Sequence, residues 1–574
     1  MNPKILISIF NRRWSSKVII LLFIFSACNK TDVLKEKPLD FLSPENAYIT
    51  SDGVEQGING IYANVRDTWY SYYENDINGL FAKGTDEAYD GEEPGGQRPW
   101  TDFSTNIVPS SSTILALWKA GYTIIQQCNL LIQRIESADD KIWASEAEKN
   151  VYLSEAMFFR AFSYRILVTL FGDIPIVKVE EINTPKTDFS RAPKADVYKA
   201  IEDDLLFAAA NLPVRSEQKN PGRLTQGAAW HYLSEIYLAQ GKFQLAVDAS
   251  SAVINNYGYA LMTNRFGTNL GKDVFGTGDV FYDLFSPNNQ NLAENTEGIW
   301  VIQFEPLITG GGACYAEGEF GPRYFGIGNT PDGFKAILGE IVNGVHTGYS
   351  DTLGRGVAGS RCTNYVAYDI WQSDWNNDIR NAEHNIKRNF YFDNPASIYD
   401  KKKIDFSLYP PGSRNALKDT TNYIFPQWMK FSEPLMHTSL PARSGGGYSY
   451  KDTYAVRLPE TLLIRAEAYL GLNNADLAAK DINAIRSRAK ATEVSPGKVD
   501  LDYILDERAR ELYGEEHRMI TLLRLGKLVE RVRKYNNNPS TPQLRIQDRN
   551  NLFPIPQSEI DLNIGNVMTQ NKGY

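Results

Sequence analysis

The stretch TQGAAWHYLSEIYLAQGKFQLAVDASSAVIN, at residues 225–255, predicts a helical hairpin. Its apolar pattern favours one helix over residues 225–239 and another over residues 243–255, with Gly241 in the turn between them. Alanine and serine allow the two helices to approach closely, while Tyr237 fills the space towards a neighbouring pair. Such a hairpin cannot bury its apolar face alone, so the stretch predicts a stack of similar units.

A second stretch, nearer the C-terminus, has the same pattern. Residues 462–470 and 475–489 predict two helices around Gly471, and the sequence AEAYL at residues 466–470 matches SEIYL at residues 234–238. Small residues where the helices cross, an aromatic before the turn and alanines in the second helix are typical of tetratricopeptide repeats. These repeats indicate a scaffold and specify no chemistry.

Further helices are expected before the first hairpin. Ser43-Pro44 is a favourable helix start, and Gly172 followed by Pro175 is a favourable helix stop. The other predicted helices cover residues 112–136, 144–170 and 195–212. The sequence therefore predicts a mostly α fold, in which a tetratricopeptide-like hairpin scaffold carries an irregular, loop-rich region on one side.

The loop-rich region is predicted at residues 265–450, between scaffold parts at residues 46–264 and 451–574. Glycine, asparagine, aspartate, proline and aromatic residues are crowded there, and helical periodicity is weak. Among the short elements expected, residues 298–304 (GIWVIQF) have a β-like pattern. The aromatic residues argue against disorder, and long ordered loops are usually functional. We therefore expect a variable ligand-binding region.

The first 27 residues predict a lipoprotein signal peptide. A basic leader precedes the apolar run VIILLFIFSA at residues 18–27, which is too short to cross a bilayer that needs about 20 residues. Cys28 follows directly, as in a bacterial lipobox whose cysteine is acylated, for example with palmitate. Residues 28–45 then form a lipid-attached tether. The alternative is an ordinary signal peptide followed by a chance cysteine.

Composition and motifs exclude several classes of function. A net charge of −9 argues against a nucleic-acid partner, which requires a basic surface. Cys314 and Cys362 are either bridged by a disulfide or free and buried, and the sequence leaves both alternatives open. The usual metalloprotease, P-loop, nucleophile-elbow and dinucleotide motifs do not occur, so we predict no catalytic residues, no metal and no cofactor. Carboxylates at residues 506–516 alternate with arginines, which predicts ion pairs along one helix.

Two aromatic-rich loops are the candidate binding sites, because aromatic faces stack on sugar rings while charged and amide groups bind hydroxyls. Loops on a rigid scaffold are where binding residues collect. The first loop contributes Trp69, Asp86, Tyr89, Arg98 and Trp100. The alternative for Trp69 is that it packs its own helix.

The second candidate loop set is central and contributes Arg323, Tyr324, Trp371 and Trp375. Asp374, Asn376 and Asp378 alternate as possible oxygen ligands, which makes calcium binding an alternative for this loop. The glycine and the distal glutamate of an EF-hand loop are missing, which argues against it. A solvated turn is the plainer interpretation.

Four motifs distributed over nearly the whole mature chain resemble the SusD/RagB family of outer-membrane lipoproteins from Bacteroidetes. They are LKEKPLDFLSPENAYIT at residues 34–50, followed by GINGIY at 57–62, EAMFFRAFSYRILVTLFGDIP at 155–175, ERARELYGEEHRMITLLRLG at 507–526, and the ending FPIP at 553–556 with QNKGY at 570–574. The resemblance implies the SusD-like α-α superhelix.

The resemblance also implies a function. Family members bind glycans or other nutrients at the cell surface, act as a lid on a SusC-like TonB-dependent outer-membrane transporter, and catalyse no reaction. We therefore expect a lipid-anchored, surface-exposed outer-membrane protein that binds an oligosaccharide or polysaccharide. The alternatives are a lid for peptide or other non-sugar cargo, a surface glycoside hydrolase, and a pure interaction protein.

Overall fold

The computed structural model describes residues 47–71, 81–91, 100–177, 186–268, 270–433 and 448–574. The predicted signal peptide, the lipidation site Cys28, the tether up to residue 45 and the candidate Arg98 lie outside these described residues. Within them, no helix is both long enough and apolar enough to cross a membrane.

The first part of the described chain is helical, as predicted. Its helices are α1 (Ser51–Trp69), α2 (Phe103–Asn106), α3 (Ser112–Ser137), α4 (Glu146–Phe171), α5 (Lys194–Asn211), α6 (Gln226–Ala239) and α7 (Phe243–Asn256). The Ser145 hydroxyl caps the start of α4 by accepting from the Glu148 N–H. Gly172 ends α4 with a positive φ of 74°, a conformation that glycine adopts without strain. The predicted stop at Gly172 is therefore confirmed.

The later helices are short in the central region and longer again from residue 458, where the chain returns to the scaffold. They are α8 (Val280–Leu284), α9 (Ala316–Phe320), α10 (Asn364–Ala367), α11 (Ala416–Lys418), α12 (Leu458–Gly471), α13 (Ala475–Arg488), α14 (Leu501–Leu512), α15 (Arg518–Arg524), α16 (Leu528–Tyr535) and α17 (Gln557–Leu562). A π-helical turn covers Asp419–Tyr423.

The scaffold is a continuous stack in which α3, α4, α5, α6 and α7 pack each on the next, followed by α12 and α13. The helix α7 packs directly on α12, so the two hairpins with similar sequences are neighbours in space although about 200 residues separate them. Buried alanines such as Ala246, Ala466 and Ala478 allow these close approaches. The predicted tetratricopeptide-like scaffold is confirmed.

The central region contains short paired strands. They are β1 (Ala88–Asp90), β2 (Gly298–Ile302), β3 (Ile341–Val342), β4 (Val345–His346), β5 (Ser360–Cys362), β6 (Ile386–Lys387), β7 (Gln427–Trp428) and β8 (Thr453–Arg457). All four described pairs are antiparallel: β1 with β5, β2 with β8, β3 with β4, and β6 with β7. The strand expected at residues 298–304 is therefore confirmed as β2. Its partner β8 leads directly into α12, which fixes the irregular region to the scaffold.

Part of the central region has a hydrophobic cluster of its own, distinct from the scaffold core. Tyr324, Tyr349, Phe390 and Phe392 are among its buried members.

The two cysteines of the central region are not bridged. Cys314 and Cys362 are buried free thiols, and burial raises the pKa of Cys314 to about 11. The disulfide alternative is therefore excluded.

Candidate functional site

The first candidate loop is largely part of the core. Trp69, Tyr89 and Trp100 are all buried, and Trp100 is only 1% exposed. The Trp100 ring is stacked on Phe553 with centroids 6.3 Å apart, and Trp69 lies 5.7 Å from the ring of Phe81. A buried ring has no free face for a sugar. We therefore correct the expectation for these three residues and assign them to packing.

Asp86 is also a structural residue. Its carboxylate accepts from Arg518 at 2.7 Å and from Arg531 at 2.8 Å, and all three side chains are buried. Burial alone raises the pKa of Asp86, but the two guanidinium charges and their hydrogen bonds outweigh it and lower the pKa to about 2. The Asp86 carboxylate therefore joins the N-terminal part of the chain to the C-terminal helices and is not free to bind a hydroxyl.

Two candidates of the second loop set are buried as well. The Tyr324 hydroxyl donates to the Gly354 carbonyl at 2.9 Å, and its ring stacks on Phe390. The Trp371 indole N–H donates to the Val366 carbonyl at 2.9 Å. Both side chains have satisfied polar atoms and no free ring face, so Tyr324 and Trp371 are reassigned to the core.

Trp375 remains, and the structure adds two neighbours to it. Trp375 and Tyr368 are 38% and 37% exposed, and the Arg388 guanidinium carbon lies 4.8 Å from the Trp375 ring centroid and 5.8 Å from that of Tyr368. A guanidinium over an aromatic face is a favourable cation–π arrangement. We call Tyr368, Trp375 and Arg388 the aromatic platform.

Arg388 is held in place by hydrogen bonds. Its Nη2 donates to the Ala367 carbonyl at 2.9 Å and to Asn381 Oδ1 at 2.7 Å. The amide of Asn381 in turn donates to the Trp375 carbonyl at 2.7 Å. Burial lowers the pKa of Arg388 from its ordinary value. Because Nη1 and Nη2 bond to neighbouring groups of the chain and Nε is buried, the guanidinium orders the two rings and is not available for a bidentate contact with a carboxylate.

The loop that carries Trp375 is pinned on both sides of that residue. Asp374 accepts from Arg486 Nη2 at 2.7 Å and from the Thr492 hydroxyl at 2.6 Å, while Asp378 accepts from Arg380 at 2.6 Å. Burial opposes ionisation of Asp374, but the Thr492 and Ser373 hydrogen bonds and the Arg486 charge lower its pKa to about 2. Both aspartates thus point inward, and Trp375 is held outward between them.

The same contacts argue against calcium binding by this loop, because arginine side chains already neutralise its two carboxylates. Asp374 and Asp378 have arginine partners, and Asn376 is exposed. Across the described parts of the chain, no group of three or more histidine, cysteine, aspartate or glutamate side chains is placed to hold a metal ion. The two carboxylates are structural pins for the platform loop.

We expect Asp374→Ala to loosen this loop without unfolding the protein. Arg486 keeps its second partner, Glu507, at 2.8 Å, so the cost is about 1–3 kcal/mol in the free energy of unfolding. Amide hydrogen exchange at residues 369–381 should become faster. The matched control is Asp369→Ala, an exposed carboxylate on the same loop. Equal exchange in both variants would contradict the pinning role.

Arg323 lies apart from the platform. Its side chain is exposed, and its guanidinium carbon is 6.0 Å from the centroid of the half-buried Phe325 ring, which Arg355 also approaches at 5.4 Å. This cation–aromatic group is a second exposed feature of the central region. Arg98, the remaining candidate, lies outside the described residues, so the structure does not bring the full predicted set together.

The stacked hairpins and the irregular region define a helical-repeat scaffold protein with a loop-borne platform. A sequence model described as "SusD family" matches residues 357–574. A second, described as "Starch-binding associating with outer membrane", matches residues 40–238. The chain therefore belongs to the SusD-like family.

Relatives and solved structures agree with this family over nearly the whole chain. "SusD-like protein P25" of Formosa agariphila is 24% identical and covers 95% of this chain and 96% of its own length. A "SusD-like protein" of Bacteroides ovatus is also 24% identical, covering 91% of this chain and 85% of the relative.

Two solved structures show the same fold. A "Laminarin binding SusD-like protein" has a TM-score of 0.65 at 23% identity, covering 92% of this chain and 100% of that one. "Surface glycan-binding protein A from Bacteroides thetaiotaomicron in complex with laminarihexaose" has a TM-score of 0.64 at 19% identity, covering 91% of this chain and 99% of that one. At these identities the similarity confirms the fold alone.

Proposed function

We propose that this protein binds an oligosaccharide or polysaccharide at the cell surface, without catalysis, and delivers it to a SusC-like TonB-dependent transporter in the outer membrane. The single observation that carries the sugar-binding part is the exposed aromatic platform of Tyr368, Trp375 and Arg388 on a pinned loop. Membership of the SusD-like family and the glycans named for two structural neighbours support the same proposal.

The platform has the physical properties that a shallow sugar site needs. Trp375 and Tyr368 offer partly free aromatic surface to the apolar CH groups of a pyranose, a contact of about 0.5–1.5 kcal/mol beyond area burial. Gln372, Asn376 and Asn377 are exposed around Trp375 and can hydrogen-bond hydroxyls. The pinned loop limits the entropy lost on binding, because the platform is already ordered.

The membrane part of the proposal rests on residues outside the described structure. We propose that Cys28 carries the lipid and that the protein is exposed at the surface of the outer membrane. The outer-membrane description of the family model supports this location. A lid for peptide or other non-sugar cargo is the first alternative, and a surface glycoside hydrolase is the second.

The test of sugar binding is calorimetry or affinity electrophoresis against plant, host and microbial polysaccharides, with laminarin included. We expect one glycan to bind and no sugar to be released. Trp375→Ala should weaken that binding about tenfold, which corresponds to about 1.4 kcal/mol of lost stacking. The melting temperature should change little, because the Trp375 ring is partly exposed and the loop pins remain.

The matched control is Phe334→Ala, which removes another exposed aromatic ring from a separate turn of the central region. The control should bind as the unmodified protein does. No binding across the panel would contradict the glycan proposal and favour peptide cargo. Release of reducing sugar would favour the hydrolase alternative, and equal affinity of the two variants would contradict the platform.

A further inference from the structure

Two arginines of the central region stack on one aromatic ring and have no other side-chain partner. The guanidinium carbons of Arg323 and Arg355 lie 6.0 and 5.4 Å from the centroid of the Phe325 ring. Among the residues that the structure describes, neither guanidinium donates a hydrogen bond or forms an ion pair. We call Arg323 and Arg355 the arginine pair.

The other stacked arginines of the described central region use their donors internally. Arg414, which lies 4.9 Å from the Phe406 ring, forms an ion pair with Asp419 at 2.6 Å. Arg388 of the aromatic platform is fixed by carbonyl and amide acceptors. A guanidinium that stacks through its flat face keeps its N–H donors in its own plane, where they can reach a ligand. The arginine pair therefore has donors to offer, which the structural arginines do not.

The backbone that carries the arginine pair is fixed by contact between two segments. A Cβ on Gly356 would come within 2.3 Å of a Gly321 backbone atom, so glycine allows the segments to touch. The Ala358 N–H donates to the Gly321 carbonyl at 2.8 Å, and the Arg323 N–H donates to the Asn422 carbonyl at 2.9 Å. Both arginines thus project from ordered backbone, which limits the entropy lost when a ligand binds.

Half-buried aromatic rings flank the arginine pair. A Cβ on Gly326 would lie 2.8 Å from the Tyr423 ring and 3.3 Å from Arg323 Cγ, so this ring and the stem of Arg323 meet at Gly326. Phe325 and Tyr423 are both partly exposed. Aromatic surface beside charged donors can contact the CH groups of a sugar ring and its polar substituents together.

We propose that the arginine pair binds a negatively charged group of the glycan, a carboxylate or a sulfate ester, so that the cargo is an acidic polysaccharide. A guanidinium donates two parallel hydrogen bonds to a carboxylate or a phosphate-like oxyanion, and these bonds are stronger than those to a neutral hydroxyl. Two guanidiniums beside one ring also repel each other, and an anionic ligand offsets that repulsion. This inference rests on the proposed glycan binding and adds the charge of the sugar.

The net charge of the chain requires such a site to act through local contacts. At −9 the whole chain repels a polyanion at long range. At physiological salt the Debye length is about 8 Å, so distant charges are screened while direct contacts with the arginine pair persist. Lys418, whose Nζ lies 5.6 Å from the centroid of the Tyr423 ring, adds positive charge beside that ring.

Calorimetry with the full chain in detergent tests the inference with acidic and neutral glycans. Polygalacturonate and alginate carry carboxylates, carrageenan carries sulfate esters, and laminarin is neutral. We expect an acidic glycan to bind and laminarin not to bind, and the group on the glycan that binds identifies the anion. Reduction of its carboxyl groups, or removal of its sulfates, keeps the sugar chain and should weaken binding about a hundredfold, because both guanidinium contacts are lost.

Substitution of the arginines tests the assignment to these two residues. Arg323→Gln and Arg355→Gln should each weaken binding of that acidic glycan about tenfold, as expected for the loss of one charge-assisted contact. The matched control is Lys403→Gln, which removes an exposed positive charge from the same region and should bind as the unmodified protein does. Melting temperatures should change little, because neither arginine has an ion pair to lose within the described chain.

The outcomes separate this inference from the proposed function. Binding of laminarin without any acidic glycan would overturn the inference and leave sugar binding in place. An acidic glycan that both arginine variants bind with full affinity, or that Lys403→Gln weakens equally, would overturn the assignment to the arginine pair. If no acidic glycan binds, the inference is wrong. Sugar binding itself is contradicted only if the wider polysaccharide panel also shows no binding.

Discussion

Asp86→Asn is expected to lower the free energy of unfolding by about 3 kcal/mol, the lower end of the cost of breaking a buried ion pair. The substitution keeps the shape of the side chain and removes the charge that faces Arg518 and Arg531. Arg531 keeps Asp506 at 2.8 Å, and Arg518 keeps Glu516 at 3.1 Å, which is why the cost stays at the lower end. Urea unfolding of the two proteins measures this loss in the free energy of unfolding.

The matched control for this prediction is Asp203→Asn. Asp203 forms an ion pair with Lys199 on the solvent face of α5, and both side chains are more than half exposed. Exposed pairs contribute about 0–1 kcal/mol, so the control should unfold almost as the unmodified protein does. Similar losses in the two variants would mean that the Asp86 cluster adds no more to stability than a surface pair.

The pH dependence gives an independent measurement of the same cluster. The folded-state pKa of Asp86 is about 2, below its ordinary value of 3.8. Its contribution to stability is therefore complete above about pH 4 and is lost as the pH falls from about 4 towards 2. Asp86→Asn lacks this contribution at every pH. The difference in unfolding free energy between the two proteins should accordingly narrow across that interval.

The helices could be predicted because their signals are local. Apolar spacing and turn residues placed the helix at residues 112–136, and the structure has Ser112–Ser137. The partners of Asp86 could not be predicted in the same way, because more than 400 residues separate it from Arg518. The sequence shows that the charges exist, and only the folded chain shows which of them meet.

The expected ion pairs along α14 show the same limit. Arg510 and Glu507 form an i,i+3 pair at 2.8 Å, as the alternation of charges predicts. Glu511 instead turns inward to Arg380 and Arg457, each at 2.9 Å, from the platform side and from β8. The cluster explains why so many charges occur on one helix: they join the scaffold to the irregular region.

The exposure of the aromatic candidates could not be predicted for a different reason. An irregular loop has no period of 2 or 3.6 residues, so residue type alone does not indicate which side chain faces solvent. Trp371 and Trp375 are four residues apart, yet one is buried and the other is exposed. Their orientation is set by Asp374, which binds Arg486 and Thr492 more than 100 residues later. Tyr368 and Arg388, which complete the platform, carry no signal in the sequence.

Trp100→Ala is expected to produce the opposite result from Trp375→Ala. Trp100 is buried between Phe103 and Phe553, so removal of its ring leaves a cavity in the scaffold core. Large-to-small changes of this kind cost about 3–5 kcal/mol in the free energy of unfolding. The protein that remains folded should bind the glycan with unchanged affinity, because the ring packs against Phe103 and Phe553 in the scaffold core.

Thermal unfolding and calorimetry on the two variants separate packing from binding. Trp100→Phe is the conservative control, since a smaller ring in the same position keeps part of the contact with Phe553 and should recover part of the lost stability. If Trp100→Ala weakened glycan binding while its melting temperature stayed unchanged, Trp100 would have to leave the core to meet the ligand. The platform would then extend to the first aromatic loop. A large loss of stability with intact binding would instead assign Trp100 to packing and Trp375 to sugar contact. The two residues have the same side chain and differ only in what the fold packs against it.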